Sequence, residues 1–184
     1  MIPSDPAFHR AIHEALCACL ALPPDSDAAL SLIREAYTEP ENSPRPSRQT
    51  DVIYWSVTPE MTYTPRPPAL TAGDARGGAH APQVHHFLPV SLLVVCYGPG
   101  CGKNAYRIRS FLYLDGKDFP RAILRKAGIY PVPDLPEPLL LYEEEGSLWR
   151  KRADLSVSLR VTDEYTYPRR RQTISTVPPV ILKT

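Results

Sequence analysis

The run from Leu148 to Tyr167 alternates along almost its whole length. Trp149, Lys151, Ala153, Leu155, Val157, Leu159 and Val161 fall on one side, and Arg150, Arg152, Asp154, Ser156, Ser158, Arg160 and Thr162 on the other. Successive side chains of a strand point to opposite faces, so the pattern predicts one long strand with a dry and a wet face, in a register that a one-residue slip would ruin. Trp149, Leu155, Val157 and Leu159 are the expected anchors, at roughly 1.5–3 kcal/mol each for full burial.

Helical spacing takes over at the amino-terminal end. Phe8, Ala11, Ile12, Ala15, Leu16, Cys19 and Leu20 recur at that period, with Ser4 placed to cap the helix and Pro23-Pro24 to stop it. Ser26 or Asp27 opens a second helix with Leu30, Ile33, Ala36 and Tyr37 inward and Pro40 beyond its end. Residues 39–50 read as an extended loop. Asp51 to Thr58 alternates Ile53, Trp55 and Val57 against Val52, Tyr54 and Ser56, which predicts a strand. Residues 59–84 hold a series of prolines and glycines with no apolar period and read as an extended arm.

A strand is predicted from His86 to Tyr97. Its end, Leu92-Leu93-Val94-Val95-Cys96-Tyr97, is continuously apolar, which predicts a central strand covered on both faces there. Gly98-Pro99-Gly100 turns the chain into a helix from Gly102 to Leu114 with Ala105, Ile108, Phe111 and Leu112 inward. Asp118 caps a shorter helix through Ala127, with Pro120 in its first turn and Gly128 at its end. Leu139 to Tyr142 is a short strand, Glu143 to Ser147 a turn, and the long strand pairs back across it. Thr173 to Leu182, within an extended 168–184 segment, closes the chain. The order α-α-β-β-α-α-β-β-β predicts an α+β fold, a largely antiparallel or mixed sheet packed on one face by helices, in a single domain over 1–184.

Composition changes this picture little. The 184 residues, 43% hydrophobic and 22% charged, suit one domain with a sizeable core, and the net charge of +1 argues against a dedicated nucleic-acid groove. The 22 prolines, against an average usage of about 5%, imply long extended connections and unpaired strand edges. No window approaches the ~20 apolar residues that span a bilayer, and no basic-then-apolar leader opens the chain, so the expected compartment is the cytoplasm. There the four cysteines, Cys17, Cys19, Cys96 and Cys101, stay free thiols.

Three groups invite a chemical reading. Tyr97-Gly98-Pro99-Gly100-Cys101-Gly102-Lys103-Asn104 follows an apolar strand and opens a helix, as a phosphate-binding loop does. Yet Tyr97 stands where that motif needs its first glycine, and Asn104 where it needs the hydroxyl that holds Mg²⁺. Cys101 and Arg107 have the six-residue spacing of the cysteine-phosphatase cradle, but Gly100 precedes the cysteine and Ile108 follows the arginine. His9, His13, Cys17 and Cys19 share a helix, where residues two apart point away from each other and cannot both bind one ion. His85 and His86, being adjacent, face opposite sides of a strand, and Arg169 to Arg171 read as a solvated turn. No residue is assigned as catalytic, cofactor-binding or metal-binding, and no cofactor is expected.

The pattern Leu148-Trp149-x-x-Arg152-Ala153-Asp154-Leu155-x-Val157 resembles bacteriophage and prophage neck or tail terminator proteins. The strand ending Val95-Cys96-Tyr97-Gly98, the helix with Asn104, Ala105 and Ile108, the helix closing at Ala127-Gly128-Ile129 and the final extended segment follow in the same order, from Asp51 onward. The resemblance implies a non-enzymatic α+β subunit of the neck that joins a ring, six-fold in related terminators, capping the tail tube and meeting the head-tail connector or stopper protein. It implies residence in the virion after assembly in the host bacterial cytoplasm. No membrane contact and no specific nucleic-acid binding are implied, with the lumen left open to DNA. Two other readings stand beside it: a small phage-encoded interaction or inhibitor module, and a phosphate-handling enzyme using the 97–107 loop.

Overall fold

The computed structural model describes residues 5–36, 46–60, 69–70, 83–117, 119–145 and 148–166. Its elements are α1 (Pro6–Cys19), α2 (Asp27–Leu32), β1 (Ile33–Glu35), β2 (Val52–Pro59), β3 (Ala69–Leu70), β4 (Gln83–Tyr97), α3 (Cys101–Leu112), α4 (Pro120–Lys126), β5 (Ile129–Pro131), β6 (Leu139–Glu145) and β7 (Leu148–Thr166). Seven strands form one sheet, ordered β1-β2-β4-β7-β5, with β3 added to β4 and β6 added to β7. Only β1 and β2 run parallel among the described pairs. The expected α+β architecture is the one observed.

The spine is β4 against β7, paired from Gln83↔Thr166 to Tyr97↔Arg152. In β7 Ala153, Leu155, Val157, Leu159 and Val161 are buried and Ser156, Ser158 and Arg160 exposed, so the predicted phase is correct over this stretch. In β4 Val90, Leu92, Val94 and Cys96 are buried on the same face. Helices α1, α3 and α4 pack together, and α3 lies on β4 and β7. Phe8, Ile12 and Leu16 of α1, Ile108 and Leu112 of α3 and Leu124 of α4 close the core with these strands.

Local chemistry explains the element ends. Asp5 caps α1 by accepting the Ala7 N–H at 2.9 Å with Pro6 behind it, so Asp5 is the cap in place of Ser4, which lies outside the described residues. Ser26 caps α2 as expected, accepting the Ala29 N–H at 3.2 Å. The expected continuation of that helix through Ile33 and Ala36 is wrong: Ile33 turns inward as the first residue of β1, pairs with Ile53, and leaves Leu30 57% exposed. A β-branched residue opposite a strand rich in Val, Ile and Trp gains more from pairing than from another helical turn. Tyr37 lies outside the described residues. Phe119, beside the undescribed Asp118, stands at the cap position of α4, and Gly128, with φ of +70°, ends that helix and leads directly into β5, a strand not anticipated.

Three further expectations are corrected. The apolar end of β4 is fully covered on one face and only partly on the other, where Leu93 is 36% exposed while Val95 and Tyr97 are half-buried. Glu143 to Glu145 belong to β6 and do not form the turn. Part of the 59–84 arm is strand, since Pro59 ends β2, Ala69–Leu70 form β3, and Gln83 and Val84 begin β4. Residues 46–50 contain no helix or strand. The remainder of the 39–50 loop and of the arm, and all of 168–184 with Arg169 to Arg171, lie outside the described residues.

Candidate functional site

The glycine turn after β4 sits at the amino-terminal end of α3, where unpaired backbone N–H groups favour an anion. The anion present is the chain's own. Asp51, just before β2, accepts the Gly100 N–H at 2.8 Å through Oδ1 and the Asn104 amide at 3.3 Å through Oδ2. The glycines follow from this closeness: Gly98 has φ of +104°, and a Cβ there would stand 2.8 Å from the Thr50 carbonyl oxygen, while a Cβ on Gly100 would collide with the Asp51 carboxylate. Asn104, which departs from the phosphate-loop pattern, is thus the second partner of an internal carboxylate.

Cys101 is buried, and burial pushes its thiol above the ordinary range, the opposite of an activated nucleophile. Arg107 does not return to it; its guanidinium lies over the Phe111 ring at 5.8 Å. The histidine–cysteine group of α1 is likewise taken apart. His9 Nδ1 lies 2.6 Å from Glu35 Oε1, joining α1 to β1, while His13 Nε2 is 3.4 Å from both Cys17 Sγ and the Pro24 carbonyl oxygen. All four cysteines are free and buried, and no cluster of metal-binding side chains exists among the described residues. Among those residues, no helix is long and apolar enough to cross a membrane.

What the fold does expose is the β6–β7 hairpin. Partner β4 ends at Tyr97, opposite Arg152, yet β7 begins at Leu148, so its first residues have only β6 beside them. Trp149, expected in the core, is 66% exposed, with Leu148 at 59% and Tyr142 at 67%. The phase of the alternation is intact, but Trp149 lies without cover: Leu140, on the same face, lies against the first turn of α3, where a Cβ on Gly102 would stand 3.3 Å from Leu140 Cδ2. The outer edge of β6 has no neighbour among the described residues.

The other face of the hairpin base is clamped. Arg150, expected to be wet, is buried with its guanidinium 4.6 Å over the Tyr97 ring. Arg152 lies 5.6 Å from the same ring, grips Asp154 through two bonds of 2.6 and 2.8 Å, and reaches Glu143 at 3.2 Å. The Asp154 bond holds the Arg152 guanidinium still more firmly protonated. Burial, followed by a hydrogen bond to Glu143, pushes the Tyr97 phenol up to about 12. The hairpin is therefore an anchored projection with an apolar end.

A second feature lies at the far end of α3. Asp115, Gly116, Lys117, Ala122, Arg125 and Lys126 line an open pocket of about 850 Å³, beside exposed Leu114 and Phe119. Asp115 is engaged by Arg125 at 2.9 Å and Arg121 at 3.7 Å. Lys117 and Lys126 have no ion pair among the described residues.

A family model described as phage neck terminator protein matches residues 8–184. The chain belongs to the phage neck terminator proteins. A neck terminator is a structural component of the virion neck that meets other head and tail proteins, which accords with a fold that leaves large apolar residues exposed on a projecting hairpin. No curated protein matches the chain. The sequence gives the hairpin, with its first strand three residues too short, but not its exposure, and it gives no sign of the pocket of this terminator. The signal for that exposure was Leu139-Leu140-Leu141-Tyr142, apolar on both faces of a short strand and followed by three glutamates.

Proposed function

We propose that this neck terminator is a non-enzymatic single-domain subunit that assembles in the host cytoplasm into a closed ring, six-fold as in related terminators. The ring caps the tail tube, stops its growth and presents a surface to the head-tail connector, leaving its lumen for DNA. Membership of the neck terminator family across nearly the whole chain, residues 8–184, carries this proposal. Two observations support it. The projecting hairpin and the pocket are different patches at separate places, as a closed cyclic assembly requires of its heterologous contacts. The anion position at the glycine turn is taken by Asp51, which weighs against a phosphate-handling alternative.

The test is polymerisation of the cognate tail tube protein with and without the chain. Tubes of arrested length, with the terminator labelled at one end only, are expected. Tubes that grow equally long in its presence, with no end labelled, would overturn the proposal.

A further inference from the structure

We infer that the β6–β7 hairpin of one copy docks into the α3–α4 pocket of the next copy. The inference rests on the ring proposed above and names its contact. The hairpin face that holds Leu140 also carries Tyr142, Glu144 and Trp149: cross-strand partners share a face, Glu144 is opposite Trp149 and Tyr142 is opposite Lys151. Trp149 and Tyr142 are each about two-thirds exposed, and Glu144 has no ion pair among the described residues. This is an aromatic anchor pair with an acidic neighbour, Glu144, and a basic one, the exposed Lys151.

The pocket offers the complement. Lys117 and Lys126 supply positive charge not spent within the described part of the molecule, Asp115 being already engaged, and the half-exposed Phe119 ring lies against Gly116 at the pocket's rim. Its volume of about 850 Å³ accommodates large aromatic side chains. The hairpin cannot fill the pocket of its own chain. Leu140 touches the first turn of α3, whereas the pocket follows the last, and twelve residues of helix separate the two by about 18 Å. Patch and pocket at opposite ends of one helix give a head-to-tail contact that repeats from copy to copy. An aromatic anchor entering a pocket, with charge guiding the approach, is how compact interfaces concentrate their affinity.

The experiment uses the full chain and two variants, Trp149→Ala with Glu144→Lys on the hairpin, and Lys117→Glu with Lys126→Glu on the pocket. Solution mass is measured across concentration, and thermal unfolding confirms that each variant is folded. Each variant alone is expected to lose self-association by at least about 30-fold, the consequence of removing a central aromatic anchor. Mixed one to one, they are expected to form mainly dimers, because one intact hairpin meets one intact pocket, while the two altered patches, though again of opposite charge, lack the Trp149 anchor. Variants that still assemble like the parent chain would overturn the contact, as would a parent chain that stays monomeric while it caps tubes; in both cases the capping function stands. Conversely, a parent chain that assembles through these patches but leaves tube growth unchanged keeps the contact and refutes the capping. Glu144→Lys paired with Lys126→Glu and Lys117→Glu in one chain restores opposite charges, and failure to regain any association over Glu144→Lys alone also counts against the contact.

Discussion

Between Ala153 and Val161 the inner face of β7 is sealed under α3 and beside β4; between Leu148 and Lys151 the same strand, with the same alternation, carries Trp149 on that face in the open beside β6, while Arg150 on the other face is buried. The difference is not in β7. It arises because β4 stops at Tyr97 and the chain turns away at Gly98-Pro99-Gly100, so that among the described residues Trp149 is left exposed on the face that Ala153 and Leu155 bury. Periodicity states which residues share a face, and only the neighbouring elements state whether that face is covered. One strand thereby serves as core at one end and as a contact surface at the other.

The largest effect should come from the sealed half. Leu155→Ala removes a fully buried side chain opposite Val94, and the loss of transfer energy plus the cavity left behind should cost about 2–5 kcal/mol. The expected result is a fall in melting temperature of roughly 5–15 °C for a domain of this size, read by circular dichroism.

The boundary between the halves should give intermediate effects. Asp51→Ala leaves the Gly100 N–H and the Asn104 amide without their acceptor, which should cost about 1–3 kcal/mol. If this variant bound inorganic phosphate while the parent did not, the turn would be a latent anion site that Asp51 keeps filled. Arg152→Ala cuts the clamp to Asp154 and Glu143. Because these groups are partly exposed, about 1–2 kcal/mol is expected, with faster amide exchange in the hairpin than in Ala153 to Val161.

Chemical reactivity sharpens the same contrast. Burial pushes the thiols of Cys19 and Cys96 up to about 12 and that of Cys17 up to about 11, so no thiol should react rapidly with a disulfide reagent at neutral pH and all four should react on unfolding. The folded chain keeps protons that the unfolded chain releases from about pH 9. Stability is therefore level below that pH on account of these groups and declines as pH rises from about 9 toward 12, which an alkaline melting series would follow.

Much of the fold was legible in the sequence, for a physical reason in each case. The periods of α1 and β7, the Ser26 cap and the Gly128 stop are local and can be read from a few neighbouring residues. Strands β1, β3 and β5 are three residues or fewer, too short to show a period, and form because a longer strand waits beside them. The sequence argued against a phosphate loop at Tyr97 and Asn104, but could not foresee that Asp51, nearly fifty residues earlier, bonds the Gly100 N–H and the Asn104 amide. The hairpin's exposure was misjudged for the reason that separates the two ends of β7: Trp149 has the phase of a core residue and lacks a lid.

The most direct measurement of the two-ended strand sets Leu155→Ala and Trp149→Ala side by side, reading thermal stability and solution mass on both. Trp149→Ala, at an exposed position, should change stability by no more than about 0.5 kcal/mol while abolishing most self-association, and Leu155→Ala should do its damage to stability. A Trp149→Ala chain that melts as early as Leu155→Ala, or that melts and assembles like the parent, would contradict the account.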